Sequence, residues 1–395
     1  MIQFPLGDIT VEQFLEEYWQ KKPLLIRNAF PDFEPPVSAD ELAGLACEPM
    51  VESRLITQDK TGESWELKQG PFEEADFASL PKSHWTLLVQ AVDHWVPEAN
   101  ALLEQFRFIP SWRIDDLMIS YATQGGGVGP HYDNYDVFLI QASGQRRWEI
   151  GGTFNEASPR RSDTPVMILP EWTAEESYIL NPGDMIYIPP CLGHNGIAES
   201  DDCMTYSVGF RAPSHAEILR SFTDFVGEQL TGELRYADPD LKLQESPAEI
   251  TEAAFDKVRD IFASYLKEPG LLEDWFGQFM TEHKYPDQEQ DEPQEMLTTD
   301  QVRSYLDEGG LLMRTEGIRF AYRRKQVKNY VLYVNGVSCE VGAHEGGFIK
   351  ALCDHSAISG DDITSQETLE IVTELLNMEA LCTESYDEAL EEEEA

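Results

Sequence analysis

The sequence predicts an α+β chain: a strand-rich first half, then a block of helices, then a small mixed module. Three observations carry this. Between residues 112 and 211, short runs of aromatic and β-branched residues alternate with Gly, Pro and Asn/Asp turn signals. From 216 to 283 apolar residues recur at helical spacing instead. Beyond an acidic, Pro-containing stretch, further helices mix with strands that include an Asn335-Gly336 hairpin signal. With 395 residues, 42% of them hydrophobic, the chain is long enough for two or three cores. The pattern divides it into 1–212, 213–284, a linker at 285–297 and a last domain at 298–390.

Thr10 with Gln13 forms a capping box ahead of a helix ending near Gln20, and Pro23 stops it before a Leu24–Arg27 strand. Ser38 with Glu41 opens a second helix. Val51–Thr57 and Ser64–Lys68 read as strands. Ser83–Phe106 reads as one long amphipathic helix with Trp85, Leu88, Val92, Trp95 and Leu102 on its apolar side and structural histidines at 84 and 94. Trp112–Tyr121 returns to strand, with Asp116, Met118 and Ser120 on one face and Asp115, Leu117 and Ile119 on the other.

The stretch Gly125–Trp148, GGGVGPHYDNYDVFLIQASGQRRW, carries the chemistry. Its glycines make a turn, and His131–Gln141 reads as a strand that puts His131, Asp133 and Tyr135 on one face. A second imidazole follows the Pro182-Gly183-Asp184 turn, a short apolar strand and Pro189-Pro190, at His194. Two His and one carboxylate on one side of a metal leave positions open, as in non-haem Fe(II) oxygenases, and zinc also suits this donor set. On the next strand Arg146 shares a face with Trp148 and Ile150, so an inward guanidinium there demands an anion. If the Ser120 face looks inward, so does Asp116, and a buried carboxylate needs a cation. A pairing with Arg113 or solvent stays the alternative.

The His131-x-Asp133 and His194 frame resembles the cupin-type JmjC 2-oxoglutarate oxygenases. IDDLMIS (Ile114–Ser120), GGGVGPHYDNYDVFLIQ, Pro182–Pro190 and YSVGFRAP (Tyr206–Pro213) resemble their bacterial ribosomal oxygenase branch. The resemblance implies a double-stranded β-helix, a helical block that forms a homodimer, and a winged-helix-like C-terminal domain. It implies Fe(II) on His131, Asp133 and His194, with 2-oxoglutarate on Arg146 and Ser120, and O2. It also implies an arginine target, held by Asp116 and Tyr135 and hydroxylated at its β-carbon, in a basic large-subunit ribosomal protein. A histidine target or another residue of another protein, a non-oxidative metal-binding cupin, and a degenerate binding module are the alternatives.

After Pro213 the helices are expected at Ala216–Leu230, from a Ser246-Pro247-Ala248-Glu249 capping box to about Lys267, and at Leu271–His283. The last carries Trp275, Phe276 and Phe279, the aromatic stripe expected at the dimer contact. In the last domain, helices are expected at Thr299–Glu308, Phe348–Cys353 and Gln366–Leu376, and strands at Leu311–Thr315, Ile318–Arg323 and Tyr330–Val334.

The net charge of −44, from 73 acidic and 29 basic residues, argues against binding nucleic-acid backbone and suits a basic protein partner or a salt-adapted surface. Cysteines at 47, 191, 203, 339, 353 and 382 make no Cys-x-x-Cys pair. Neither a secretion signal nor an apolar run of membrane-spanning length is recognisable, so a cytoplasmic location with reduced thiols is expected.

Overall fold

The computed structural model describes residues 4–285, 296–325 and 329–383. Most of the expected linker and the acidic tail lie outside them. By backbone contacts the chain divides into two compact units, with the break between Ala212 and Pro213.

The first unit contains α1 (Val11–Glu17), β1 (Leu24–Ile26), α2 (Ala39–Leu45), β2 (Ser53–Gln58), β3 (Trp65–Gln69), α3 (Glu74–Ala78), β4 (Trp85–Val89), α4 (Pro97–Leu103), β5 (Ile114–Ala122), β6 (Val137–Ser143), β7 (Arg146–Thr153), β8 (Glu176–Leu180), β9 (Met185–Ile188), β10 (Leu192–Ala198) and β11 (Cys203–Phe210). Both expected capping boxes are present, at Thr10 and Ser38. The strands form an eight-stranded sheet, β1-β9-β6-β11-β5-β4-β2-β3, and a three-stranded sheet, β10-β7-β8. All pairings are antiparallel.

Alternation along β6 shows how the sheets pack. Val137 and Leu139 join Ile186 and Ile188 of β9 and Trp148, Ile150 and Leu180 of the smaller sheet in one cluster, the barrel interior. Phe138 and Ile140 point the other way, into a larger core with Phe14, Leu87, Val89, Phe106, Leu117, Ile119, Tyr206 and Val208. The large sheet is therefore covered on both faces. The β5 alternation read from sequence holds, since Leu117 and Ile119 lie in that outer core. The fold is the double-stranded β-helix that the resemblance implies.

One long element differs from the expectation. Ser83–Phe106 is strand β4, a 3-10 turn at Val92–His94, and then α4. Pro97 cannot sit inside a helix, and it opens α4 as the first helical residue. The contiguous apolar run Leu87-Leu88-Val89 is a buried central strand, whose two covered faces leave no polar alternation to read. The His131–Gln141 strand is also corrected: regular strand begins at Val137, and His131 makes only an isolated bridge.

The second unit contains α5 (His215–Gln229), α6 (Glu252–Leu266), α7 (Leu271–Thr281), α8 (Thr299–Asp307), β12 (Leu312–Arg314), β13 (Phe320–Lys325), β14 (Asn329–Val334), β15 (Val337–Val341), α9 (Gly346–Asp354), β16 (Ala357–Ile358), α10 (Gln366–Asn377) and β17 (Leu381–Thr383). Helix α6 starts at an N-cap Thr251, not at the Ser246 box. β14 and β15 turn through Asn335 and Gly336, both at positive φ, as a two-residue hairpin requires. Val302, Leu312, Phe320, Leu332, Ile349, Leu352 and Val372 are among the residues that build its own core.

Candidate metal and anion site

The glycine turn and β10 converge on one pair of residues. His131 N–H donates to His194 O at 2.9 Å, and His194 N–H donates to His131 O at 2.8 Å. This reciprocal antiparallel bridge sets two imidazoles side by side, with ring centroids 4.2 Å apart. The turn allows the approach because Gly127 packs on the carbonyl of Gly196, where a Cβ would stand 2.4 Å from oxygen. Gly129 adopts φ +81°, open to glycine at little cost.

Each imidazole is held by its other nitrogen. His131 Nδ1 lies 2.9 Å from Gly129 O and His194 Nδ1 lies 2.9 Å from Leu192 O. A carbonyl only accepts, so Nδ1 carries the hydrogen on both rings and both Nε2 lone pairs are left for a ligand. Those Nε2 atoms face Asp133 Oδ2, at 3.9 Å from His131 and 3.5 Å from His194. One donor atom from each of the three residues lies within 4.8 Å of the others, the one such group of His, Cys, Asp or Glu among the described residues. Cys191 N–H donates to Asp133 O at 2.7 Å and fixes the carboxylate's backbone.

The electrostatics favour a ready ligand set. Burial pushes the Asp133 carboxyl up, but the close approach of His194 and the two neighbouring imidazoles outweigh it and hold the pKa at about 2. Burial, helped by the neighbouring His194, depresses His131 and keeps it neutral. Anionic carboxylate and neutral imidazoles are the forms that bind a divalent metal.

β7 runs away from this cluster. Ile150 is the register partner of His194, and Arg146 lies four residues along the same face, about 13 Å by strand rise. Arg146 is buried, and its Nε and Nη2 have no hydrogen-bond partner among the described residues; its guanidinium stands 5.8 Å from the Trp148 ring. Arg147, on the opposite face, meets Glu199 at 2.6 Å and pairs with Glu149. A buried guanidinium with orphaned donors is a socket for a carboxylate. Ser120, Ser207 and Thr205 line the neighbouring strands as buried hydroxyl residues. The Ser120 hydroxyl donates to Thr205 O at 3.4 Å.

Asp116 is buried on the inner face of β5. Its Oδ2 accepts from Gln90 Nε2 at 2.6 Å and Ala91 N at 3.1 Å; Arg113 instead reaches Asp136, at 3.8 Å. Tyr135 keeps its ring partly exposed, while burial and the charges of Asp133 and Asp116 push its hydroxyl pKa up. Gln90 and Ala91 escaped the sequence reading because they were placed inside a helix. Pro97 and the unbroken apolar run before it were the available signals.

The chain matches the JmjC domain over residues 101–218 and a ROXA-like winged helix over residues 260–382. It is 40% identical over 309 residues to the ribosomal protein uL16 3-hydroxylase of Escherichia coli, covering 78% of this chain and 80% of that protein. The chain belongs to the JmjC ribosomal oxygenase family. A probable ribosomal oxygenase of Haemophilus influenzae is 32% identical over 364 residues, 89% of this chain and 87% of its own. Among solved structures, the E. coli ribosomal oxygenase YcfD bound to cobalt and 2-oxoglutarate superposes with a TM-score of 0.84 at 35% identity, covering 96% of this chain and 99% of that one. The winged-helix match takes in the end of α6 and all of α7 as well as α8–α10 and most of β12–β17.

Proposed function

We propose that this ribosomal oxygenase uses Fe(II), 2-oxoglutarate and O2 to hydroxylate the β-carbon of an arginine in uL16, a basic protein of the large ribosomal subunit. The observation that carries the reading is the set of three convergent ligand atoms together with buried Arg146, whose Nε and Nη2 have no hydrogen-bond partner among the described residues. The relative at 40% identity is named for the same 3-hydroxylation.

His131, Asp133 and His194 would hold the iron, and Arg146 would take the distal carboxylate of 2-oxoglutarate, with Ser120 beside it. When bound, iron and 2-oxoglutarate would supply an oxidant from O2, the cosubstrate leaving as succinate and CO2. The protein's part is orientation and exclusion of water. Val137, Leu139, Ile150 and Ile188 wall the barrel with apolar side chains. Asp116 offers a carboxylate to the target guanidinium, and Tyr135 a ring face, so that the β-carbon is the atom presented.

The same reading divides the chain into a catalytic domain (1–212), a helical dimerisation domain (213–284), a linker (285–297) and the winged-helix domain (298–390). A second copy of the chain would cover α6, on which no residue is buried and Phe255, Val258, Ile261, Phe262 and Leu266 are exposed. Of the expected stripe, Trp275 and Phe279 of α7 are stacked on each other and buried, with Phe222 against Trp275, so they build the unit's interior, while Phe276 stays exposed. No helix among the described residues is long and apolar enough to cross a membrane. Work on a ribosomal protein suits a cytoplasmic enzyme.

The test is to incubate the purified enzyme with uL16, Fe(II) and 2-oxoglutarate and map the product by mass spectrometry. A gain of one oxygen on an arginine, at C3 by amino-acid analysis, is expected. Oxygen on a histidine, or none anywhere, overturns the assignment.

A further inference from the structure

The carboxylate assigned to the target arginine is held from behind. Asp116 Oδ2 accepts two hydrogen bonds, from Gln90 Nε2 at 2.6 Å and Ala91 N at 3.1 Å. The Gln90 amide oxygen accepts in turn from Arg54 Nη2 at 3.0 Å. Arg54 (β2), Gln90 (the turn after β4) and Asp116 (β5) thus form one relay across three neighbouring strands of the large sheet.

Two further features suit this relay to positioning. Ala91, which supplies the second N–H, sits at φ +50°, a left-handed conformation costly for a residue with a Cβ. The turn bears that strain while aiming Gln90 and Ala91 together at one oxygen. Second, Asp116 Oδ1 lies toward Gly209, its register partner on β11, where an added Cβ would stand 3.5 Å away. Any side chain at 209 would take the space beside that oxygen.

We propose that Gln90, braced by Arg54, is a substrate-positioning residue: it turns the Asp116 carboxylate so that the oxygen beside Gly209 meets the target guanidinium. An amide does this better than a cation. It donates to Oδ2 without adding positive charge to a site that must receive one, and Arg54 supplies the compensating charge one residue further back. The proposal rests on the arginine-hydroxylase reading above.

The experiment measures Michaelis constants for an arginine-containing uL16 peptide and for 2-oxoglutarate in the holoenzyme, together with Tm. Gln90→Met keeps the length and removes both polar groups. It should raise the peptide KM at least tenfold and the 2-oxoglutarate KM less than twofold. Arg54→Lys, which keeps a donor for the Gln90 oxygen, should stay within threefold of wild type for the peptide, while Arg54→Met should follow Gln90→Met. Gly209→Ala should raise the peptide KM with Tm held within about 2 °C. Equal peptide KM values for wild type and Gln90→Met overturn the proposal, as does a parallel rise in both KM values, which marks a merely structural role. A wild-type enzyme that leaves the arginine peptide unmodified overturns the reading beneath it instead.

Discussion

Arg146 and Arg147 are adjacent on β7 and point to opposite faces, and only Arg147 meets carboxylates, those of Glu149 and Glu199. Arg146 is buried, and two of its nitrogens have no hydrogen-bond partner among the described residues. A buried cation without an anion is costly, so its partner is a ligand. Arg146→Ala should weaken 2-oxoglutarate by roughly 2–4 kcal/mol, the scale of a lost buried charge-assisted contact. Arg147→Ala should change it little. The 2-oxoglutarate KM of each variant decides, and the reverse pattern would show that the inward face has been misassigned.

Asp133→Ala removes the one anionic donor of the three-residue group. Iron should no longer be retained after gel filtration, and 2-oxoglutarate turnover should fall to background. Full turnover in this variant would exclude Asp133 as a ligand.

His131 has its pKa depressed by burial and by His194. In the folded state its neutral form is favoured, so the unfolded chain binds more protons between the folded value and the ordinary imidazole value of 6.5. Its contribution to stability is therefore complete above 6.5 and is lost as pH falls through the folded value. Metal-free enzyme should lose Tm as pH drops from 7 toward 5, and His131→Gln should flatten that slope. An unchanged slope in the variant would place the titration elsewhere.

Dimerisation and folding should separate by helix. Phe262→Glu on the exposed face of α6 should give a monomer by light scattering at micromolar concentration, with Tm nearly kept. Trp275→Ala, in the interior against Phe222 and Phe279, should instead cost roughly 3–5 kcal/mol of stability, the usual scale for an aromatic truncated in a core. A wild-type chain that is itself monomeric at that concentration refutes the interface.

Asp116→Asn should strongly reduce hydroxylation of an arginine peptide, since a neutral amide cannot pair with a guanidinium as a carboxylate does. Replacing the peptide's arginine by lysine should also reduce it, because the planar two-pronged fork is lost. With a net charge of −44 facing a basic protein, turnover of uL16 should fall as salt rises. Salt-independent turnover would point to a surface acidic for other reasons.

Sequence alone determined what depends on local chemistry and strand period. Thr10 and Ser38 capped their helices because a capping box needs only four consecutive residues. Arg146 and Arg147 sorted to opposite faces because side chains alternate on any strand. His131, Asp133 and His194 were legible as a set through the turn signals that frame them. Tertiary structure decided what depends on neighbours distant in sequence. The His131–His194 bridge spans sixty-odd residues of chain. Gln90 meets Asp116 because β4 pairs with β5, while the unbroken apolar run of a strand buried on both faces lacks the alternation that would have marked it. Trp275 and Phe262 are both aromatics at helical spacing, and local pattern cannot say which one another helix covers. Only the packing of α5 on α7, which buries Trp275 and leaves Phe262 exposed on α6, makes that choice.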